Sequence, residues 1–205
     1  MRSLREEFEF IRNPRSKILF FYGIFNFIFL SIINLAIGNI GFLIYALFVV
    51  IIYPLLYKIA PKGFLLMIFL ICLAEETIVY FIGGGLHGVA KSLLHDYVRS
   101  IPIFLTHAFL WFRYMSKYRY DDGEIFILTG LHGFFWEIII SGMILNPILT
   151  PLFGGTPFIL YGLLVLIPDR PLGEENIPTR KRAFLWFTYL VIEILVGLAV
   201  AILFP

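Results

Sequence analysis

Seven stretches along the chain are apolar almost without interruption, and short polar segments separate them. They run near Ile18 to Ile37, Ile40 to Tyr57, Gly63 to Ile82, Ile101 to Met115, Ile125 to Leu145, Thr156 to Ile167 and Ala183 to Phe204. A helix needs about 20 residues to cross roughly 30 Å of hydrocarbon at about 1.5 Å per residue. Most of these runs meet that length, so the pattern predicts helices that cross a bilayer rather than helices around a soluble core. The fourth and sixth are short. Ser100 and Pro102 suit a helix start at Ile101, Arg113 can snorkel at its far end, and Ile148 to Phe153 can lengthen the sixth.

The expected fold is therefore all-α, a polytopic membrane bundle of about seven spans behind a cytoplasmic N-terminal segment, residues 1–17, with the transmembrane domain over 18–205. The first span follows a long charged head and reads as retained, not as a cleaved signal. Between the third and fourth spans, Gly83-Gly84-Gly85 reads as a hinge. Val89, Leu93 and Leu94 then make an apolar face opposite Lys91 and His95, which suggests a short re-entrant or interfacial helix over 86–97.

Composition strengthens the membrane reading. The 205 residues are 60% hydrophobic and 18% aromatic, with mean hydropathy +0.91, against about 45–50% apolar residues in soluble domains. A net charge of +2 offers nothing to a nucleic-acid partner. The expected partner is the lipid bilayer. Cys72 is the single cysteine, which leaves no internal disulfide. Glutamine is absent and isoleucine abundant, as in a heat-adapted chain or simply in one with little room for amides.

Charge placement tests the span count, because cytoplasmic loops collect Lys and Arg. With the N-terminus inside, the inner segments hold Arg2, Arg5, Arg12, Arg15 and Lys17, then Lys58 and Lys62, then Arg113, Lys117 and Arg119, then Arg170, Arg180, Lys181 and Arg182. Only Lys91 and Arg99 fall outside. Seven spans, with the N-terminus in and the C-terminus out, in a multi-pass protein of the cell membrane, fit this alternation.

Against that apolar background, an ionisable side chain at bilayer depth costs at least about 2.5–3.5 kcal/mol, so such residues are candidates for function. They are Glu75, Glu76, His107, His132, Glu137 and Glu193. Adjacent carboxylates such as Glu75 and Glu76 repel each other, so one is expected to hold a proton while the other acts as a base or binds a cation. His107, about six residues from the outer end of its expected span, should lie near their depth. Packing hydrogen bonds between helices are the competing explanation for each of these groups. His132 and Glu137 lie five residues apart, about 140° around a helix, and do not naturally chelate one ion. Gly130, Gly133 and Glu137 share a face, together with Ser141, where small residues allow close helix approach. Glu193 stands alone and reads as a packing residue.

The order of these groups resembles the CAAX prenyl endopeptidase and abortive-infection family of intramembrane proteases, whose pattern is EExxxR, then FxxxH, then HxxxN. Here the stretches are Glu75-Glu76-Thr77-Ile78-Val79-Tyr80, Ile103-Phe104-Leu105-Thr106-His107 and His132-Gly133-Phe134-Phe135-Trp136. Tyr80 stands in the Arg position, Ile103 in the Phe position and Trp136 in the Asn position. The resemblance implies hydrolysis of a peptide bond at the membrane, with a membrane-associated peptide or lipidated protein as the partner. In that chemistry a glutamate of the Glu75/Glu76 pair activates water, and His107 and His132 stabilise the oxyanion or hold a divalent metal such as zinc. Two other classes fit the same residues: a proton- or cation-coupled transporter or channel using Glu75, Glu76, His107 and Glu137, and a non-catalytic scaffold in which the acids only knit helices together.

Overall fold

The computed structural model describes residues 9–52, 63–82, 92–140, 142–166 and 171–205. Among these residues every regular element is helical. In chain order the α-helices are α1 (Pro14–Ala36), α2 (Gly41–Leu47), α3 (Phe64–Ile82), α4 (Leu93–Lys117), α5 (Asp122–Phe134), α6 (Leu149–Phe153), α7 (Thr156–Leu166) and α8 (Thr179–Leu203). Helix α2 runs on as a π-helix, Phe48–Ile52, and α5 as another, Phe135–Ile140.

Five segments are long and apolar enough to cross a membrane: Pro14–Ala36, Phe64–Phe81, Asp122–Ile140, Leu149–Leu166 and Thr179–Leu203. The second expected span is shorter where described, Gly41–Ile51, and its end falls outside the described residues. The first half of the expected helix over 86–97, and the glycine hinge before it, also fall outside them. Its last residues are instead the start of α4, which runs unbroken for 25 residues. Ser92, not Ser100, caps this helix by accepting a hydrogen bond from the His95 backbone N–H at 3.2 Å. Pro102 therefore sits inside the helix, where the Thr106 hydroxyl donates to its carbonyl at 2.7 Å.

The chain divides into two compact units. The first comprises residues 1–59 and 121–167 and holds α1, α2, α5, α6 and α7. Asn13 caps α1 by accepting from the Arg15 N–H at 3.0 Å, with Pro14 in the first turn. Before it, Phe10 stacks on Phe126 of α5 at 4.7 Å. Every residue of α7 is buried. Helix α5 closes onto it through glycine, since a Cβ at Gly130 would stand 2.9 Å from the Phe158 Cα. Such close approach adds van der Waals contacts between the two helices.

Between α6 and α7 the helix breaks at Gly154-Gly155, and the break is spliced by a side chain of α1. A continuous helix would pair the Gly155 N–H with the Pro151 carbonyl. Here Asn26 stands between them: its Oδ1 accepts from Gly155 N at 2.7 Å and its Nδ2 donates to Pro151 O at 3.2 Å. The Tyr22 hydroxyl donates to the same carbonyl at 2.6 Å. Pro157 cannot donate to the Phe153 carbonyl, and the Thr156 hydroxyl does so instead at 2.8 Å.

The second unit comprises residues 60–120 and 168–205 and holds α3, α4 and α8. Helix α3 packs antiparallel to α4, tied by the Thr77 and Tyr97 hydroxyls at 2.5 Å and by Phe64 against Phe112 at 5.2 Å. Helix α8 runs antiparallel along the whole of α4. The pairing is continuous from His95 Nε2 with the Pro205 carbonyl, 3.4 Å, through Trp111 with Tyr189, 5.9 Å between rings, to the Lys181 ammonium over Tyr118, 5.3 Å.

Candidate functional site

All six candidate acids and imidazoles are buried, with exposures of 6% or less. Their partners sort them by unit. In the second unit, His107 Nδ1 and Glu193 Oε1 lie 3.0 Å apart, and the two side chains are 1% and 0% exposed. A carboxylate can only accept, so this contact assigns the ring proton to Nδ1 and the lone pair of the neutral imidazole to Nε2. Such a pair fixes the orientation and tautomer of the ring and stabilises the imidazolium that forms when Nε2 takes a proton. Glu193, which reads as a lone packing group in the sequence, is thus the direct partner of a candidate catalytic histidine.

Glu75 and Glu76, on α3, are 4% and 2% exposed. They do not lie at the depth of His107. The Thr77–Tyr97 and Phe64–Phe112 pairings put Glu75 level with about residue 100 of α4 and His107 seven residues further along, about 10 Å at helical rise. The earlier start of α4 is the reason: with its cap at Ser92, His107 sits in mid-helix instead of six residues from an end. Asp96, which the apolar pattern does not single out, is also buried, at 6% exposure. It precedes His107 by eleven residues, three turns plus about 20°, and so shares its face. Tyr114, seven residues beyond His107, continues that face and is 1% exposed. Tyr80 is 37% exposed.

In the first unit, Glu137 lies in the π-helical continuation of α5 and accepts a hydrogen bond from the Tyr161 hydroxyl of α7 at 3.0 Å. Gly133 makes room for that ring: a Cβ there would stand 2.6 Å from Tyr161 Cγ. Gly133→Ala is therefore expected to displace Tyr161, loosen its bond to Glu137 and destabilise the unit by about 1–3 kcal/mol. Leu131→Ala, at a residue 39% exposed, should cost less, and thermal unfolding of both variants in detergent checks the difference. His132, one residue before Gly133, is fully buried.

The pairing of His107 and Glu193 also suits a metal-binding histidine, whose second ring nitrogen commonly donates to a carboxylate while the first meets the ion. The donor chemistry thus fits a divalent cation such as zinc at Nε2. Comparison with protein-family models, with curated proteins and with solved structures finds no match for this chain.

Proposed function

We propose that the chain is a multi-pass protein of the cell membrane whose second unit carries an embedded acid–base centre for hydrolysis of a membrane-associated peptide. The observation that carries this reading is the fully buried 3.0 Å contact of His107 with Glu193. In a site shielded from bulk water, Glu193 orients the imidazole, Nε2 takes a proton from the attacking water, and the resulting imidazolium returns it to the leaving amine. A divalent cation at Nε2 would take the place of this base, because the lone pair would then be held by the ion, and it would supply acidification of a bound water instead. Glu75 and Glu76 form the next polar station along the helices, about 10 Å away, with a peptide carbonyl or an amine as a suitable partner. The likeness of the Glu-Glu, His and His order to the CAAX prenyl endopeptidase family supports the same class of reaction.

The succession of Asp96, the Glu75/Glu76 level, His107 with Glu193 and Tyr114 favours a second reading, passage of protons or small cations along α4. One reconstitution tests both. In liposomes carrying an acylated, internally quenched peptide, the wild-type chain should cleave the peptide, and His107→Gln should not. Absence of cleavage together with dissipation of an imposed proton gradient, lost in Glu76→Gln, would replace the first reading by the second.

A further inference from the structure

Where α4 ends and α8 begins, the chain builds a rigid cationic corner. The Arg119 N–H donates to the Glu175 carbonyl at 2.8 Å and the Glu175 N–H to the Lys117 carbonyl at 3.1 Å. The Tyr120 hydroxyl donates to the Pro171 carbonyl at 2.7 Å. Gly173 lies so close that a Cβ there would stand 2.5 Å from the Lys117 carbonyl carbon. The segment leading into α8 is thereby laid flat against the end of α4. Two ammonium groups are gathered at one aromatic ring as a result, Lys117 at 5.6 Å and Lys181 at 5.3 Å from the centre of Tyr118. The ring itself is buried, 7% exposed.

This end of the unit is rich in cations: Arg113, Lys117, Arg119, Arg180, Lys181 and Arg182 lie along it with Glu174 and Glu175, and Asp121, Asp122 and Glu124 come next in the chain. Glu175 reaches Lys117 only at 3.8 Å, with both side chains more than half exposed, which is worth little in water. Arg180, Lys181 and Arg182 occupy the first turn of α8, which holds no acidic residue, although the peptide dipoles there disfavour cations. The two ammonium groups held at the Tyr118 ring are thus placed to meet an external anion. Directly along the helix from Arg180, Phe184, Phe187 and Val191 continue one outward face, 69%, 63% and 51% exposed, at the spacing of a lipid-facing stripe.

We propose that this corner binds the phosphate of an anionic phospholipid, with Lys117 and Lys181 as its cationic ligands around Tyr118 and the Phe184–Phe187 stripe against its acyl chains. Juxtamembrane cations recognise anionic headgroups in this way. The full chain, stripped of lipid in detergent, can be titrated with phosphatidylglycerol or phosphatidylcholine and bound lipid counted by native mass spectrometry. Phosphatidylglycerol should bind at least about tenfold more tightly, and Lys117→Ala/Lys181→Ala should weaken it roughly 30-fold. The control Arg15→Ala/Lys17→Ala, at exposed cations of the first unit, should leave it unchanged. Equal affinity for the two lipids, or a loss no greater than in the control, overturns the proposal. Displacement of the lipid by millimolar inorganic phosphate also overturns it, since the corner would then be a site for free anions.

Discussion

Glu193→Gln is expected to lower peptide turnover by about 10²- to 10⁴-fold while leaving the unfolding temperature nearly unchanged. Glutamine matches glutamate in shape, and its carbonyl oxygen can still accept the proton that His107 Nδ1 offers across 3.0 Å. What disappears is the negative charge that stabilises the imidazolium once Nε2 has taken a proton. Ring orientation and packing therefore survive while basicity falls. Glu193→Leu makes the contrast: it removes the acceptor as well and strands a buried N–H, which costs about 1–3 kcal/mol of stability. Measuring turnover and thermal unfolding on both variants separates the two roles. Full turnover in Glu193→Gln would mean that the carboxyl only ties α8 to α4, and the role of the His107–Glu193 pair as the acid–base centre would go with it.

Much of this arrangement can be read from the chain, and what cannot has identifiable causes. Apolar runs mark helices because a bilayer demands long uninterrupted ones, and every predicted run overlaps a helix. The start of α4 escapes that logic, since His95, Asp96 and Arg99 dilute its first turns, and Ser92 and Ser100 are equally good caps by residue type. Only the tertiary pairing of Tyr97 with Thr77 selects the first. The expense of buried charge points correctly to Glu75, Glu76, His107, His132, Glu137 and Glu193 as interior groups. It cannot pair them: His107 and Glu193 are 86 residues apart, and no local spacing relates them. The division into two units is equally silent, because each is assembled from two separated stretches of chain with no linker composition between. Asn26 is the group that sequence reasoning passes over, although a buried amide in an apolar helix carries the same signal as the acids. It too must find a partner once it is buried among apolar side chains.

Asn26→Leu is the sharpest test of that signal. Leucine keeps the branched shape with bulkier methyl groups but offers nothing to the Gly155 N–H or to the Pro151 carbonyl, which the amide now holds at 2.7 and 3.2 Å. The Tyr22 hydroxyl still serves the carbonyl, so the stranded group is the N–H of Gly155, at a cost of about 1–3 kcal/mol. The chain has one escape: α6 and α7 can straighten so that these two groups bond each other. That route drags Phe158 and Tyr161 away from Gly130 and Gly133, which accept those rings only because they lack a Cβ, and it pulls Tyr161 from Glu137. Either outcome lowers the unfolding temperature of the chain in detergent. Asn26→Gln, which keeps both halves of the amide one methylene further out, should restore part of the loss. If Asn26→Leu unfolds as the wild type does, the splice contributes nothing to stability, and the break at Gly154-Gly155 must be maintained by Pro157 and Thr156 alone.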